Sequence, residues 1–334
     1  MILMNNIICQ KKILPMYVNA KHTKQNITQT YYHSLYYKKY QIVCCSNNNS
    51  KKIVLNSVKW FGWGIVYNIY NKKALIDIDI SIVTASQIVI SSIIAVLNLN
   101  KKITFDNKIN TNNLLYFSMF ILLSLGQWYG NYFGNIATSI MTISSVNIIK
   151  SSEPIISMIL MYISFKTTYN IYKILLIIPI IGGIVLCNIT DITYTNYGAL
   201  LCILSNISHI IKIIVSKKYF NEILKYTSQH LFILSTFGSL LISIPVIYNN
   251  IESIFIISID NIFYIILSSI GYYFNSIAAF SIATQVSTVT YSLLNIYKRI
   301  VVILSHYLFN LELPNILTCI GIIISNISLY YYLI

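Results

Sequence analysis

The chain has 334 residues, of which 56% are hydrophobic and 10% are charged, and its mean hydropathy is +0.67. So few charged side chains cannot cover the surface of a soluble protein of this size, which excludes a soluble globular fold and indicates a polytopic membrane protein. The net charge of +14 does not indicate nucleic-acid binding, because the lysines lie in the N-terminal segment and at the ends of apolar blocks, with no basic recognition module.

Residues 1–56 form a basic N-terminal leader that differs from the rest of the chain. They are rich in Lys, Asn, Tyr and Ser, and eleven lysines but no acidic residue precede Asp77. This bias is typical of an organellar transit segment, and a disordered cytosolic tail is the alternative. Residues 57–334 are predicted to form one membrane domain with halves of about 58–190 and 195–333.

Apolar blocks long enough to cross a bilayer recur from Val58 to the C-terminus, separated by polar residues. They predict an all-α fold of ten transmembrane helices, the fourth of which is kinked at Pro154. The predicted spans are 58–76, 80–98, 114–136, 140–165, 171–188, 195–219, 229–248, 261–284, 286–309 and 315–333.

The second half of the membrane domain repeats the first. Residues 147–150 read Asn-Ile-Ile-Lys and residues 295–298 read Asn-Ile-Tyr-Lys, an offset of 148 (298 − 150). The first helix likewise ends in Asn-Lys-Lys at 71–73 and the sixth in Ser-Lys-Lys at 216–218. Because five is an odd number of helices, the second copy is inverted, with a binding site between the copies near the midplane. Lys150 and Lys298 are therefore predicted to face each other across a central cavity.

Arg299 is the only arginine among 23 Lys and Arg residues, and it follows Lys298 within the apolar stretch 286–309. Two cations at this depth are costly unless they face a wet cavity or an anion, and a guanidinium binds phosphate or carboxylate in a bidentate manner. With Lys150 they predict an anion site whose unpaired charge favours obligatory exchange. Two alternatives stay open, an ion pair between Lys150 and Glu153 on one helix and snorkelling of Lys298 and Arg299 to an interface.

These residues resemble the plastid phosphate translocators of the drug/metabolite transporter superfamily. The family pattern Thr-Ile-Lys-Ala-x-Glu-Pro is similar to Ile-Ile-Lys-Ser-Ser-Glu-Pro at 148–154, and its ninth-helix pattern, with Asn-x-x-Lys-Arg, is similar to 286–303. Further similarity lies at Trp60, Asn68, 71–73, 179–183, 205–206 and 216–218. The resemblance covers the chain from about Val58 to the C-terminus.

The resemblance implies that Lys150, Lys298 and Arg299 hold the phosphate, whereas Asn131 and Lys212 contact the remainder of the substrate. Lys212 replaces a family arginine and keeps the charge without the planar fork, and a plain cation near a helix end is its alternative. Asn131 stands in a Gly-Asn-x-x-x-Asn context at 130–135, as in members that prefer phosphoenolpyruvate.

Other family positions differ in this chain. The ninth-helix Pro and His of the family are Thr288 and Tyr291 here. Ungapped counting to the eighth-helix Tyr gives Asn275, and Tyr272 and Tyr273 lie just before it, so this residue stays unassigned.

The predicted function is therefore an antiporter that exchanges inorganic phosphate for phosphoenolpyruvate, triose phosphate or 3-phosphoglycerate across a plastid membrane of the apicoplast type. No enzymatic activity, cofactor or metal is predicted, because the five histidines are isolated from one another. The alternatives are a nucleotide-sugar transporter of the Golgi or endoplasmic reticulum, a membrane-embedded enzyme acting on a phosphorylated lipid, and a non-transporting membrane scaffold.

Overall fold

The computed structural model describes residues 47–98, 113–188, 194–221, 226–250, 257–310 and 315–333. Over these residues the chain is all-α and forms ten helices, as the apolar blocks predict. They are α1 Asn47–Asp77, α2 Ile80–Leu97, α3 Asn113–Ile140, α4 in two segments Ile143–Lys150 and Glu153–Phe165, α5 Ile171–Asn188, α6 Asn196–Val215, α7 Ser228–Asn249, α8 Ile259–Ala283, α9 Thr288–Asn310 and α10 Ile316–Leu333. A short π-helix, Ser216–Asn221, continues α6.

The composition of these helices is that of a polytopic membrane protein. Among the described residues, α2, α4, α6, α7 and α8 are long and apolar enough to cross a bilayer, and α5 and α10 contain shorter apolar helices. Large apolar side chains such as Ile159, Ile163 and Phe237 are more than half exposed, as expected of a surface that faces lipid. Polar residues of α1, α3 and α9 line an internal cavity, as do polar residues of α4, α6 and α8.

Two predicted boundaries are wrong. α1 begins at Asn47 rather than near 58. Residues 1–46 lie outside the described residues, and the division into a leader and a membrane domain stays a prediction. α3 extends to Ile140 rather than 136. In both cases the helix continues through polar residues, because extending a helix that has formed costs little compared with nucleating it. A hydropathy pattern does not record that continuation.

The break in α4 has a local cause. Pro154 has no backbone N–H for the carbonyl oxygen of Lys150, which is four residues before it. The side chain of Asn206 on α6 donates to that oxygen at 3.2 Å. The hydroxyl groups of Ser151 and Ser152 donate to the carbonyl oxygens of Ile148 and Ile149, so the break leaves these polar groups bonded.

The helices pack in pairs that are related by a shift of five. α1 packs along α8 and α6 packs along α3, while α2 packs against α7 and α5 against α10. Exchanging each helix for its counterpart in the other half, five positions away, turns the pair α1 and α8 into α6 and α3 and leaves the other two pairs unchanged. A duplicated five-helix unit predicts this arrangement, and the inverted repeat itself stays a prediction.

The contact between α5 and α10 depends on a glycine. A Cβ atom at Gly183 would lie 2.5 Å from the carbonyl oxygen of Gly321 and 2.9 Å from the backbone nitrogen of Ser325, whereas a Cβ at Gly182 would have nothing within 4 Å. Both contacts at Gly183 involve backbone of α10, which cannot move as a flexible side chain does. Close helix contact at small residues is a common way of packing helices in a membrane.

We expect Gly183→Ala to lower the free energy of unfolding by about 1–3 kcal/mol, the usual cost of overpacking, because α5 and α10 must separate. The matched variant Gly182→Ala should retain the wild-type stability, since its methyl group enters open space. Thermal unfolding of both variants in detergent measures the difference. Equal midpoints for the two variants would contradict the proposed role of this contact.

Candidate functional site

A cavity of about 160 Å³ lies between six helices, α1, α3, α4, α6, α8 and α9. These are three helices from the first half and their counterparts five positions later in the second half. All five predicted site residues line this cavity, namely Lys150, Lys298, Arg299, Asn131 and Lys212. Glu153, Asn206 and His209 line it as well. The five predicted side chains, which belong to the four helices α3, α4, α6 and α9, thus meet at one cavity.

Lys150 is placed at the cavity by the break in α4, because it is the last residue of the first segment. Its ammonium group lies against Gly134 of α3, where a Cβ atom would be 2.9 Å from Nζ. Any larger residue at 134 would therefore push the ammonium aside. The two segments of α4 form a discontinuous helix, a feature of substrate sites in secondary transporters.

Lys298 points into the cavity from the middle of α9. Its Nζ lies 4.8 Å from the ring centroid of Trp60 on α1, a cation–π distance. The lysine stem also contacts the position of Gly64, where a Cβ atom would be 3.2 Å from Cδ. Because the ammonium is directed toward α1 and not toward a helix end, the snorkelling alternative is wrong for Lys298.

Arg299 is held by a carboxylate on the facing helix. Its Nη2 donates to Oε2 of Glu153 at 3.1 Å, and its Nη1 donates to Oδ1 of Asn147 at 3.4 Å. Asn295 donates to the same Glu153 oxygen at 2.6 Å. These contacts connect α4 and α9 across the cavity. The expectation that the charge of Arg299 is unpaired is therefore wrong, because Arg299 pairs with Glu153. The alternative pair between Lys150 and Glu153 is not formed.

The other wall contains the residues expected to contact the substrate remainder. Lys212 lies in the last α-helical turn of α6, but its side chain lines the cavity, with Nζ 5.4 Å from the Phe280 ring, so it is not a cation at the surface. The side-chain nitrogen of Asn131 donates to the hydroxyl of Tyr272 on α8, and so does that of Gln127.

Of the two tyrosines just before Asn275 on α8, Tyr272 lines the cavity and Tyr273 does not. Tyr272 lines the cavity together with Asn275, whereas Tyr273 packs its ring 5.4 Å from that of Phe232 in an edge-on contact. Sequence reasoning missed the pairing of Glu153 with Arg299 and the position of Asn206 beside Lys150. Glu153 lies 146 positions before Arg299, and no periodicity within one helix reveals such a contact.

No group of three or more metal-ligating side chains occurs in the part of the chain that the structure describes. The cavity instead combines four cations, one carboxylate and several amides and hydroxyls. This set matches a small, multiply charged anion, because cations and neutral donors together replace the water around it.

The comparisons with known proteins agree with this chemistry. The model of the Triose-phosphate Transporter family matches residues 51–332. A triose phosphate/phosphate translocator of non-green plastids from Brassica oleracea var. botrytis is 27% identical over 272 residues, covering 75% of this chain and 64% of the relative. Phosphoenolpyruvate/phosphate translocator 3 from Oryza sativa subsp. japonica is 26% identical over 263 residues, covering 75% and 66%.

This chain therefore spans less than two thirds of the length of these two relatives. A solved crystal structure of another protein shares the fold, with a TM-score of 0.63 and 8% sequence identity, covering 84% of this chain and 95% of the other. The family match extends over nearly the whole membrane domain and includes all the residues of the cavity. The chain belongs to the Triose-phosphate Transporter family.

Proposed function

We propose that this protein is an antiporter that exchanges inorganic phosphate for a phosphorylated three-carbon compound, namely phosphoenolpyruvate, triose phosphate or 3-phosphoglycerate. The observation that carries the proposal is the convergence of Lys150, Lys298 and Arg299 from α4 and α9 in one cavity. In this proposal the three cations bind the phosphate, and Asn131 and Lys212 contact the rest of the substrate. Relatives named as phosphate translocators support this assignment.

The charge of the cavity supports a multiply charged substrate. Lys150, Lys212, Lys298 and Arg299 supply four positive charges and Glu153 supplies one negative charge, which leaves +3 (4 − 1). Uncompensated charge at this depth is costly, and a phosphate dianion removes most of it. Closing the carrier around a phosphate compound is therefore favoured over closing it without one, which favours exchange over one-way transport.

The size of the cavity supports a small substrate. Relatives include translocators named for glucose 6-phosphate and xylulose 5-phosphate, at 24% and 26% identity, so similarity alone does not select the substrate. A cavity of about 160 Å³ is smaller than the roughly 300–1,000 Å³ of pockets for drug-sized ligands. This favours a three-carbon compound over a hexose phosphate, and it disfavours a nucleotide sugar.

Alternating access follows from two five-helix halves that rock around the cavity. Two hydrogen bonds at corresponding positions support the division into two equivalent halves. Lys72 at the end of α1 donates to the carbonyl oxygen of Thr138 on α3 at 2.5 Å, and Lys217 after α6 donates to the carbonyl oxygen of Val286 after α8. The donors are 145 positions apart and the acceptors 148, similar to the offset between the halves.

We place the protein in a plastid membrane of the apicoplast type, rather than in the Golgi or endoplasmic reticulum. The support is that three plant relatives are named chloroplastic and that the N-terminal leader is basic and free of acidic residues before Asp77. A transporter also accounts for the cavity better than an enzyme acting on a phosphorylated lipid, because Glu153, the one acid among the described residues that line the cavity, is already bound to Arg299 and Asn295.

Counter-exchange in proteoliposomes tests the proposal. We expect purified protein to take up labelled phosphate into vesicles loaded with phosphate or phosphoenolpyruvate at least ~10-fold faster than into vesicles without an internal substrate, because the unliganded cavity resists closure. Vesicles loaded with a nucleotide sugar are the specificity control. Equal uptake into loaded and unloaded vesicles would exclude strict antiport, and uptake driven only by the nucleotide sugar would exclude the assignment.

A further inference from the structure

His209 lines the cavity but has no role in the site described above. It precedes Lys212 by three residues on α6, so the two side chains lie on the same helix face about one turn apart. The imidazole lies against α3 at Gly130, where a Cβ atom would be 2.8 Å from both Nδ1 and Cε1. The absence of a side chain at 130 therefore provides the space for this ring beside Asn131.

The imidazole has no partner among the described residues. None of the hydrogen bonds or ion pairs found there involves His209, although Ser205, one turn earlier on α6, donates to the carbonyl oxygen of Gly130 at 2.7 Å. The charged side chains around the ring are Lys150, Lys212, Lys298 and Arg299, all of them cations. A polar ring half-buried among these cations has no hydrogen-bond acceptor in the described structure, and a bound anion can supply one.

The amide of the neighbouring Asn131 is already partly engaged. The side-chain nitrogen of Asn131 is already bonded to the hydroxyl of Tyr272. No hydrogen bond of the His209 ring or the Lys212 ammonium is found among the described residues, so their N–H groups are available to a substrate together with the second N–H of Asn131. One ammonium and one imidazole N–H on the same helix face suit the two oxygens of a carboxylate, since hydrogen bonds to an ionised acceptor are the strong ones.

We propose that His209 is a specificity-determining residue, and that with Lys212 it binds the carboxylate of a phosphorylated three-carbon acid. This inference rests on the proposed phosphate exchange and adds to it the class of counter-substrate. Phosphoenolpyruvate and 3-phosphoglycerate carry a carboxylate, whereas triose phosphates carry none. His209 therefore contributes to the binding of the acids and makes no such bond to inorganic phosphate or triose phosphate.

The test uses His209→Phe, which keeps a ring of similar volume without a donor. In proteoliposomes loaded with phosphate, we expect the KM for phosphoenolpyruvate and 3-phosphoglycerate to rise at least ~10-fold, the loss typical of one hydrogen bond to a charged group. The KM values for phosphate and dihydroxyacetone phosphate should stay within about twofold of wild type on the same reasoning. His209→Gln, which restores an N–H donor, should recover part of the affinity for the acids.

Two further variants separate this role from a structural one. Gly130→Ala places a methyl group where the imidazole lies and should reproduce the selective loss without changing His209. His230→Phe, on α7 and outside the cavity lining, is the matched control and should leave all KM values unchanged.

The outcomes are distinguishable. A uniform loss for all substrates in His209→Phe, or no change for any of them, overturns the role of His209 alone. A wild-type protein that prefers dihydroxyacetone phosphate to both acids also overturns it. Absence of phosphate-for-phosphate exchange by the wild type overturns the proposed function, and the inference with it.

Discussion

Lys298→Ala is expected to reduce phosphate exchange to the level of protein-free liposomes. Lys298 points from the middle of α9 toward Trp60, and no acidic residue forms an ion pair with it among the described residues. A hydrogen bond to a charged group contributes about 1.5–3 kcal/mol, so removal of one cation lowers phosphate affinity about 10- to 150-fold. Loss of one charge from the cavity also removes part of the driving force for closure around the anion.

Lys150→Ala and Arg299→Ala should give losses of the same size, measured as initial rates of labelled phosphate uptake into phosphate-loaded proteoliposomes. Arg299→Lys should fall between wild type and alanine, because it keeps the charge and loses the planar fork. The control is Lys59→Ala, since Lys59 is exposed and does not line the cavity. A non-transporting scaffold predicts the opposite result, in which apolar residues at 298 and 299 cause no loss of function.

Glu153→Gln is expected to destabilise the protein in phosphate-free buffer and to make its stability depend strongly on phosphate. Glu153 is 3% exposed and accepts from both Arg299 and Asn295. Removing one partner of a buried ion pair costs about 3–5 kcal/mol, because the other charge stays buried without compensation. The cavity charge rises from +3 to +4 (4 cations and no carboxylate), which increases its attraction for phosphate.

Thermal unfolding in detergent, with and without saturating phosphate, measures both effects. Phosphate should raise the midpoint of Glu153→Gln by more than that of wild type, and the KM for phosphate should fall while turnover slows, since release becomes harder. Asp260→Asn, which removes an exposed acid at the start of α8, should behave as wild type. A variant whose midpoint is unchanged without phosphate would show that the link between Glu153 and Arg299 does not stabilise the fold.

α4 and α9, which carry Lys150 and Lys298, show which features of the site the sequence predicts. Lys150 and Lys298 were identified from a repeated Asn-x-x-Lys pattern and from the cost of charge in an apolar stretch, and both line the cavity. Neither argument predicts which cation the carboxylate of Glu153 faces. Glu153 stands on the same helix as Lys150, and the sequence therefore left a pair between them open as an alternative, whereas the break at Ser151 and Ser152 turns Glu153 toward α9.

His209 shows a second reason why the sequence does not predict every contact of the site. Within the sequence it is one isolated histidine in an apolar run, and its spacing from Lys212 shows only that both share a helix face. Its relation to the site depends on Gly130, which lies on another helix and contributes by having no side chain. A contact that depends on the absence of atoms elsewhere in the chain leaves no local pattern.

The sequence by itself determined that the described part of this membrane protein is all-α with ten helices, and it selected the cations of the cavity, because the cost of placing polar groups in lipid depends on the composition of each segment alone. Only the tertiary structure decided which charges are paired, which tyrosine of α8 reaches the cavity and where His209 lies. Those features depend on the distance and rotation between helices far apart in the chain, which are set by the packing of all the helices together.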